Sequence, residues 1–368
     1  MSTVYVIGAG ASYGESLKPI PDIPAGHPEL HSRTPPVTNG FFNKDLLDAL
    51  AYGEAERDYA VVVEHIRRTK LLAEPFGTGA WKVLDLEELF SSLEIEREFQ
   101  NPESDEGAHL LLTRNKLVRY IRRIIGFCTQ YTYGEYYRKL AQALDPNDTV
   151  ITFNWDLLLD QEFLPANILA HPYSKFFMTV QPEEITINFQ NPGTGLYLKL
   201  HGSLNWFRCG NHKCRANTTV AFQSDTQSCL SVNQGIGALS CGQCGSEMNP
   251  VIVPPLLRKP VGEDSFIRSA WGLARTRLTV ASKVVVIGFS AAPTDFYSSW
   301  LLRSTVGTRE GVEILVINPS NRGDGEFKRR MDAIFLKGYD ASLYEFSQIG
   351  EVLANPGQAV IQRPLAQG

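Results

Sequence analysis

Five short apolar runs, each ending abruptly at a turn or polar residue, constrain most what this 368-residue chain can fold into. They are Thr3-Val-Tyr-Val-Ile7 before Gly8, Asp148-Thr-Val-Ile-Thr-Phe153 before Asn154, Leu196-Tyr-Leu-Lys-Leu200 before His201, Val284-Val-Val-Ile287 before Gly288, and Ile314-Leu-Val-Ile317 before Asn318. Runs this short and this rich in β-branched residues read as buried strands. Helical spacing fills much of the sequence between them, and strands alternating with helices predict an α/β fold, a Rossmann-like doubly wound parallel sheet.

Between the first two strands the spacing predicts mostly helix. Residues 17 to 39 hold six prolines and read as a long loop; helical spacing resumes at Asn43. It continues at Asp85, with Glu88 three residues on as a capping box, from about His109 to Thr129, and near Glu135 to Leu144. The longest apolar runs fall far short of the roughly 20 residues a membrane span needs, and the first strand starts within three residues of Met1, so neither a span nor a signal peptide is expected and a cytoplasmic location is. Lys and Arg number 35 against 40 Asp and Glu, a net charge of −5, so nucleic acid is not indicated.

Cysteine usage carries the clearest local chemistry. Cys209-Gly-Asn-His-Lys-Cys214 and Cys241-Gly-Gln-Cys244 form two knuckles 26 residues apart, in a stretch too polar to hold itself together. Four thiolates suit a structural zinc, whose binding energy would substitute for a missing core. His212 is an alternative ligand, whereas Cys128 and Cys229 read as bystanders. One domain, 1–354, is therefore expected to carry a mostly helical insertion at 43–147 and a small zinc-ribbon module at 205–252, with 355–368 as a loose tail.

The strand ends carry the remaining candidates. Gly8, Gly10 and Gly14 approximate a phosphate-cradling turn, although the spacing is GxGxxxG; the alternative is a tight strand-to-helix turn without a ligand. His201 ends a strand, at the edge where α/β sheets bind ligands, yet a lone histidine is more often structural. Asn154 and Asp156 also follow a strand and are equally good helix caps.

Together these residues resemble a family. Gly8-Ala-Gly-Ala-Ser12, Thr152-Phe-Asn-Trp-Asp156, Leu200-His-Gly-Ser203, the split cysteine knuckles, Gly288-Phe-Ser290 and Ile317-Asn318 follow the order of the sirtuin superfamily, over roughly residues 4 to 340. The pattern is most similar to the sirtuin-like NADases of bacterial antiphage defence, as are Pro35-Pro-Val-Thr-Asn-Gly-Phe-Phe42, Asp85-Leu-Glu87 and Asp295. The resemblance implies that NAD is the substrate, with Gly8, Ala9, Gly10 and Ser12 at the pyrophosphate, Gly288 and Ser290 near phosphate or ribose, and Asn318 near the adenosine half. Asn154 and Asp156 would hold the nicotinamide ribose and carboxamide, and His201 would be the general base. It implies an NAD+ glycohydrolase acting as an NAD-depleting effector, a homo-oligomer, under the control of a separate regulatory or effector protein such as a hexameric ATPase. Two other activities are an NAD-dependent protein deacylase and a non-catalytic NAD or ADP-ribose sensor. The deacylase motif G-I-P-D-F-R has only Pro19-Ile-Pro-Asp-Ile-Pro24 as its counterpart, without the arginine, which weakens the acyl-lysine reading.

Overall fold

The computed structural model describes residues 2–16, 35–36, 40–42, 54–69, 85–129, 132, 135–145, 147–163, 196–218, 220–222, 240–254, 265–342 and 361–362. The expected helix at Asn43, the Pro19–Pro24 segment and Cys229 lie outside them. Seven strands form the main sheet: β1 Thr3–Ile7, β2 Thr149–Thr152, β3 Leu196–Lys199, β7 Lys283–Ile287, β8 Glu313–Ile317, β9 Asp340–Ser342 and β10 Ile361–Gln362. Their order is β10-β9-β8-β7-β1-β2-β3, parallel throughout except for β10. Residues 361–362 pair with β9 as an antiparallel edge strand. From β1 the chain adds β2 and β3 on one side, then β7, β8 and β9 on the other, the reversal of strand order that defines a doubly wound sheet.

Register matters most for function. Ile7 pairs with Thr152 and Ile287, Thr152 with Lys199, and Ile287 with Ile317. All five strands therefore end at one level, and Gly8, Phe153, Leu200, Gly288 and Asn318 emerge together along the carboxyl edge.

The described helices are α1 Ala9–Ser16, α2 Glu54–Arg68, α3 Leu86–Phe99, α4 Asp105–Thr129, α5 Glu135–Ala143, α6 Leu158–Phe163, α7 Ser265–Val280, α8 Phe296–Leu302 and α9 Gly325–Ile334. Asp85 caps α3 as its side chain accepts the Glu87 and Glu88 amides. A second sheet, β5-β4-β6, joins β4 Gly202–Cys209 to β5 Ala221–Phe222 and β6 Met248–Ile252 in antiparallel pairing.

Two cores result. One lies on the main sheet; the other gathers Val62, Ile66, Leu89, Phe90, Leu117 and Ile121 from α2, α3 and α4 with Leu204, Phe207 and Ile252 from β4 and β6. Arg122 of α4 clamps this junction, donating to the Leu204 carbonyl at 3.2 Å with its guanidinium 5.0 Å over the Phe207 ring. Helical insertion and cysteine-bearing module therefore share one core, although the sequence pattern separates them.

Candidate active site

Gly8 and Gly10 of the β1–α1 turn meet the turn after β7. The Gly8 amide donates to Ile287 and the Gly10 amide to the Gly288 carbonyl, at 2.9 and 3.0 Å. Gly288 sits at φ +63, and a Cβ there would lie 2.2 Å from the Ala11 nitrogen, while one on Gly10 would lie 2.8 Å from the Gly288 oxygen. These two glycines are needed first for each other: they let two parallel-strand turns touch.

Beside Gly8 the edge opens into a cavity of about 150 Å³, a size that admits an aromatic ring. Gly8 lines it from the β1–α1 turn, Ala9 and Ser12 from α1, Phe153, Asn154, Trp155 and Asp156 from the turn after β2, His201 from the turn after β3, and Ser290 and Asp295 from the segment after β7. Phe41, Leu86, Glu87 and Ile125 close it from the helical side. The structure thus brings together Gly8, Ala9, Ser12, Asn154, Asp156, His201 and Ser290. Gly10, Gly288 and Asn318 lie outside this lining; the Asn318 side chain accepts the Ser320 amide and donates to the Phe289 carbonyl, bracing the β7 and β8 turns.

The turn after β2 divides two roles. Asp156 braces the start of α6, its Oδ1 accepting the Leu158 amide at 3.0 Å. Burial pushes its carboxyl above the ordinary value, opposed by the Lys199 ammonium. Asn154 caps no helix. Its Nδ2 donates to the Gly8 carbonyl at 3.0 Å and the Ser12 hydroxyl at 2.9 Å, and Ser12 is also hydrogen-bonded to Tyr137 at 2.8 Å. Beneath this turn Lys199 and Asp160, both buried, pair at 2.9 Å, Tyr197 donates to the same carboxylate, and Lys199 donates to the Asp156 carbonyl at 2.6 Å. That buried pair fixes the turn; in sequence, Lys199 is only one polar letter in a strand pattern.

His201 is 3% exposed. Its ring lies against Phe153, with centroids 5.1 Å apart, and stacks on Trp271 at 6.2 Å. Its Nε2 faces Asp295 Oδ1 at 3.8 Å and Ser298 Oγ at 3.4 Å. Asp295 also caps α8. The cavity wall carries three carboxyl groups, of Glu87, Asp156 and Asp295, and among the described lining residues no Lys or Arg. Such a lining favours positive charge developing on a bound group. Trp155, Glu87 and Asp295 were visible only within longer motifs; Trp271 and Ser298 had no motif-level signal.

The four cysteines meet at the far end of β4. Cys209 and Cys244 sulfurs are 3.5 Å apart, Cys214 and Cys241 3.9 Å, and all four lie within 4.8 Å of one another. Tetrahedral zinc, with Zn–S of about 2.3 Å, requires sulfurs just under 4 Å apart, so this cluster could hold zinc. Hydrogen bonds from Ser246 hold the Cys244 thiol down at about 6, whereas burial pushes the Cys209 thiol up to about 12. His212 is exposed and stands outside the cluster, and Cys128 is buried in the helical core, away from it.

No protein-family model and no curated protein matches the chain. Solved structures similar to it include a Sir2–p53 peptide–NAD+ complex, at 15% identity over 97% of this chain and 93% of that one, with a TM-score of 0.43. A mutant Sir2 homologue with 2′-O-acetyl ADP ribose matches at 15% identity over 96% and 91%, with a TM-score of 0.46. A Sir2 homologue–NAD complex matches at 14% over 96% and 88%, with a TM-score of 0.43.

Proposed function

We propose that the chain is an NAD+ glycohydrolase, releasing nicotinamide and ADP-ribose. The observation that carries this reading is the convergence, at one level of the carboxyl edge, of the glycine turn, the Asn154 amide and the His201–Asp295 pair around a cavity lined by carboxyl groups. Edge and turn suit a dinucleotide; Gly8, Ala9, Ser12 and Ser290 would face its phosphates and ribose, with Gly10, Gly288 and Asn318 shaping the turns behind them. Breaking the C1′–N bond sends its electron pair to the nicotinamide nitrogen, which leaves neutral, and puts cationic character on the ribose. Asn154 would position that ribose, and the Glu87, Asp156 and Asp295 carboxyls would favour its charge. Water adds at C1′ and gives up a proton to His201, held for that task by Phe153 and Trp271. The cysteine cluster takes no part in these steps; zinc there would hold the β4–β6 module together.

Together with the sequence resemblance, this chemistry supports an NAD-depleting role in antiphage defence, in the cytoplasm, by a homo-oligomer under a partner protein's control. Incubating the protein with NAD+ alone tests the activity. Nicotinamide and ADP-ribose should accumulate; turnover only with acylated lysine would make it a deacylase, and binding without turnover a sensor.

A further inference from the structure

Two faces of the described chain expose large apolar side chains beside charge of a single sign. On the helical layer, Ile95 and Phe99 are exposed four residues apart on α3, Phe99 to 83%, and Leu111 is exposed on α4, which the 2.5 Å pair of Glu94 with Arg114 holds alongside. Residues 86–106 hold eight acids against one base, Arg97. Glu94 and Glu106 are taken up by Arg114 and Arg68, while Glu88, Glu98, Glu103 and Asp105 stand exposed. On the sheet layer the charge reverses. Phe296 and Trp300 are 56% and 43% exposed, four residues apart on α8, and the Arg275 guanidinium of α7 lies 6.0 Å over the Trp300 ring. α7, α8 and the turn 303–307 hold Arg268, Arg275, Arg277 and Arg303 and no acid, and all of these but Arg277 are exposed. Tryptophan beside arginine is the composition of a binding hot spot.

Neither face suits its own copy, because like charges would meet across the contact; each suits the other. We infer that a second copy of this chain seats its acidic α3–α4 face on the basic α7–α8 face. Since the two faces differ, the contact is heterologous, and its repetition closes a ring or extends a filament. A chain seated there lies behind His201: Ser298 of α8 and its cap Asp295 face the histidine, while Phe296 and Trp300 of the same helix face outward. The pairing names the surfaces of the homo-oligomer proposed above and is independent of the chemistry in the cavity.

Sedimentation of the full chain tests this. The parent should self-associate, and less so as salt is raised. Arg275→Glu with Arg303→Glu on one face, and Glu98→Arg with Glu103→Arg on the other, should each raise the dissociation constant at least about 10-fold while melting near the parent's temperature. Mixed together, the two variants should associate again, because each retains the face that the other has lost. A parent that stays monomeric up to its solubility limit, association lost in only one variant, or a mixture that does not recover would overturn the pairing. Should a charge-reversed variant melt early, Trp300→Ala and Phe99→Ala replace the two, each expected to weaken association about 10-fold; association unmoved by either would overturn it equally. Nicotinamide release by the parent tests the glycohydrolase reading separately.

Discussion

Asn154 and Asp156 differ by two positions and make different predictions. Asp156 both accepts the first amide of α6 and lines the cavity, so Asp156→Ala should cost roughly 1 kcal/mol of stability from the lost hydrogen bond and slow turnover as well. Asn154→Ala should leave the melting temperature near the parent's while nicotinamide release falls by about 10² or more, since a misplaced ribose forfeits its reactive geometry. An Asn154→Ala protein that melts early yet turns over normally would reverse the assignment. At His201, the Asp295 carboxylate 3.8 Å from Nε2 stabilises a protonated ring. Asp295→Asn should therefore slow turnover and move the acid limb of the pH–rate profile to lower pH, because a ring without that carboxylate sheds its proton sooner; an unmoved limb would mean that Asp295 acts only as the α8 cap. His201 and Asn154 were legible because they follow strand ends. Lys199, Asp160 and Trp271 were not, since their roles depend on partners tens of residues away in sequence that only the folded sheet brings near.

At the scale of elements, the cysteine spacing was legible and its mechanical setting was not. β4 begins at Gly202, next to His201, and the Val253 amide after β6 donates to the His201 carbonyl at 2.8 Å. The module is thus bolted to the His201 turn at one end and to the cysteine cluster at the other. Changing Cys241 and Cys244 together to Ser should release one zinc per chain and loosen this ladder, lowering turnover more than ADP-ribose binding; metal analysis and the NAD+ assay check both halves. A parent chain that holds no zinc after metal-free purification and zinc reconstitution would rule the site out. The helical layer carries a separate pH sensitivity. His65 of α2 is fully buried, neither ring nitrogen has a hydrogen-bond partner, and burial together with Arg68 holds it down at about 4 against an ordinary 6.5. His109, Glu96 and Glu106 are the other titratable groups around it. A histidine depressed in the folded state favours folding fully above about 6.5, and that contribution disappears as the pH falls toward about 4. The melting temperature should drop across that window, and His65→Leu should flatten the drop; an equal drop in the variant would place the acid sensitivity elsewhere.

In the whole molecule the cavity lies on the seam between the two cores. Phe153 and Phe289 of its wall belong to the sheet core, whereas Phe41, Leu86 and Ile125 belong to the core that the helices share with β4 and β6. The turn from Phe153 to Leu157 crosses the seam, with Phe153 in the first core and Leu157 in the second. The parallel sheet was readable from strand composition and the helices from their spacing; the seam was not, because a helical insertion and a polar module carry no periodic sign that they will pack on each other. A ligand seated there touches both cores, so its binding energy is shared between them. Binding to the native state alone stabilises by about 2.7 kcal/mol at 100 times the dissociation constant, and ADP-ribose at that excess should slow amide hydrogen exchange on both sides together. The protected segments should be the β1 and β7 turns and, across the seam, the first turns of α3 with β4. Sheet turns protected while α3 and β4 exchange as in the free protein would place the ligand on the sheet core alone, and would remove the helical layer from the site.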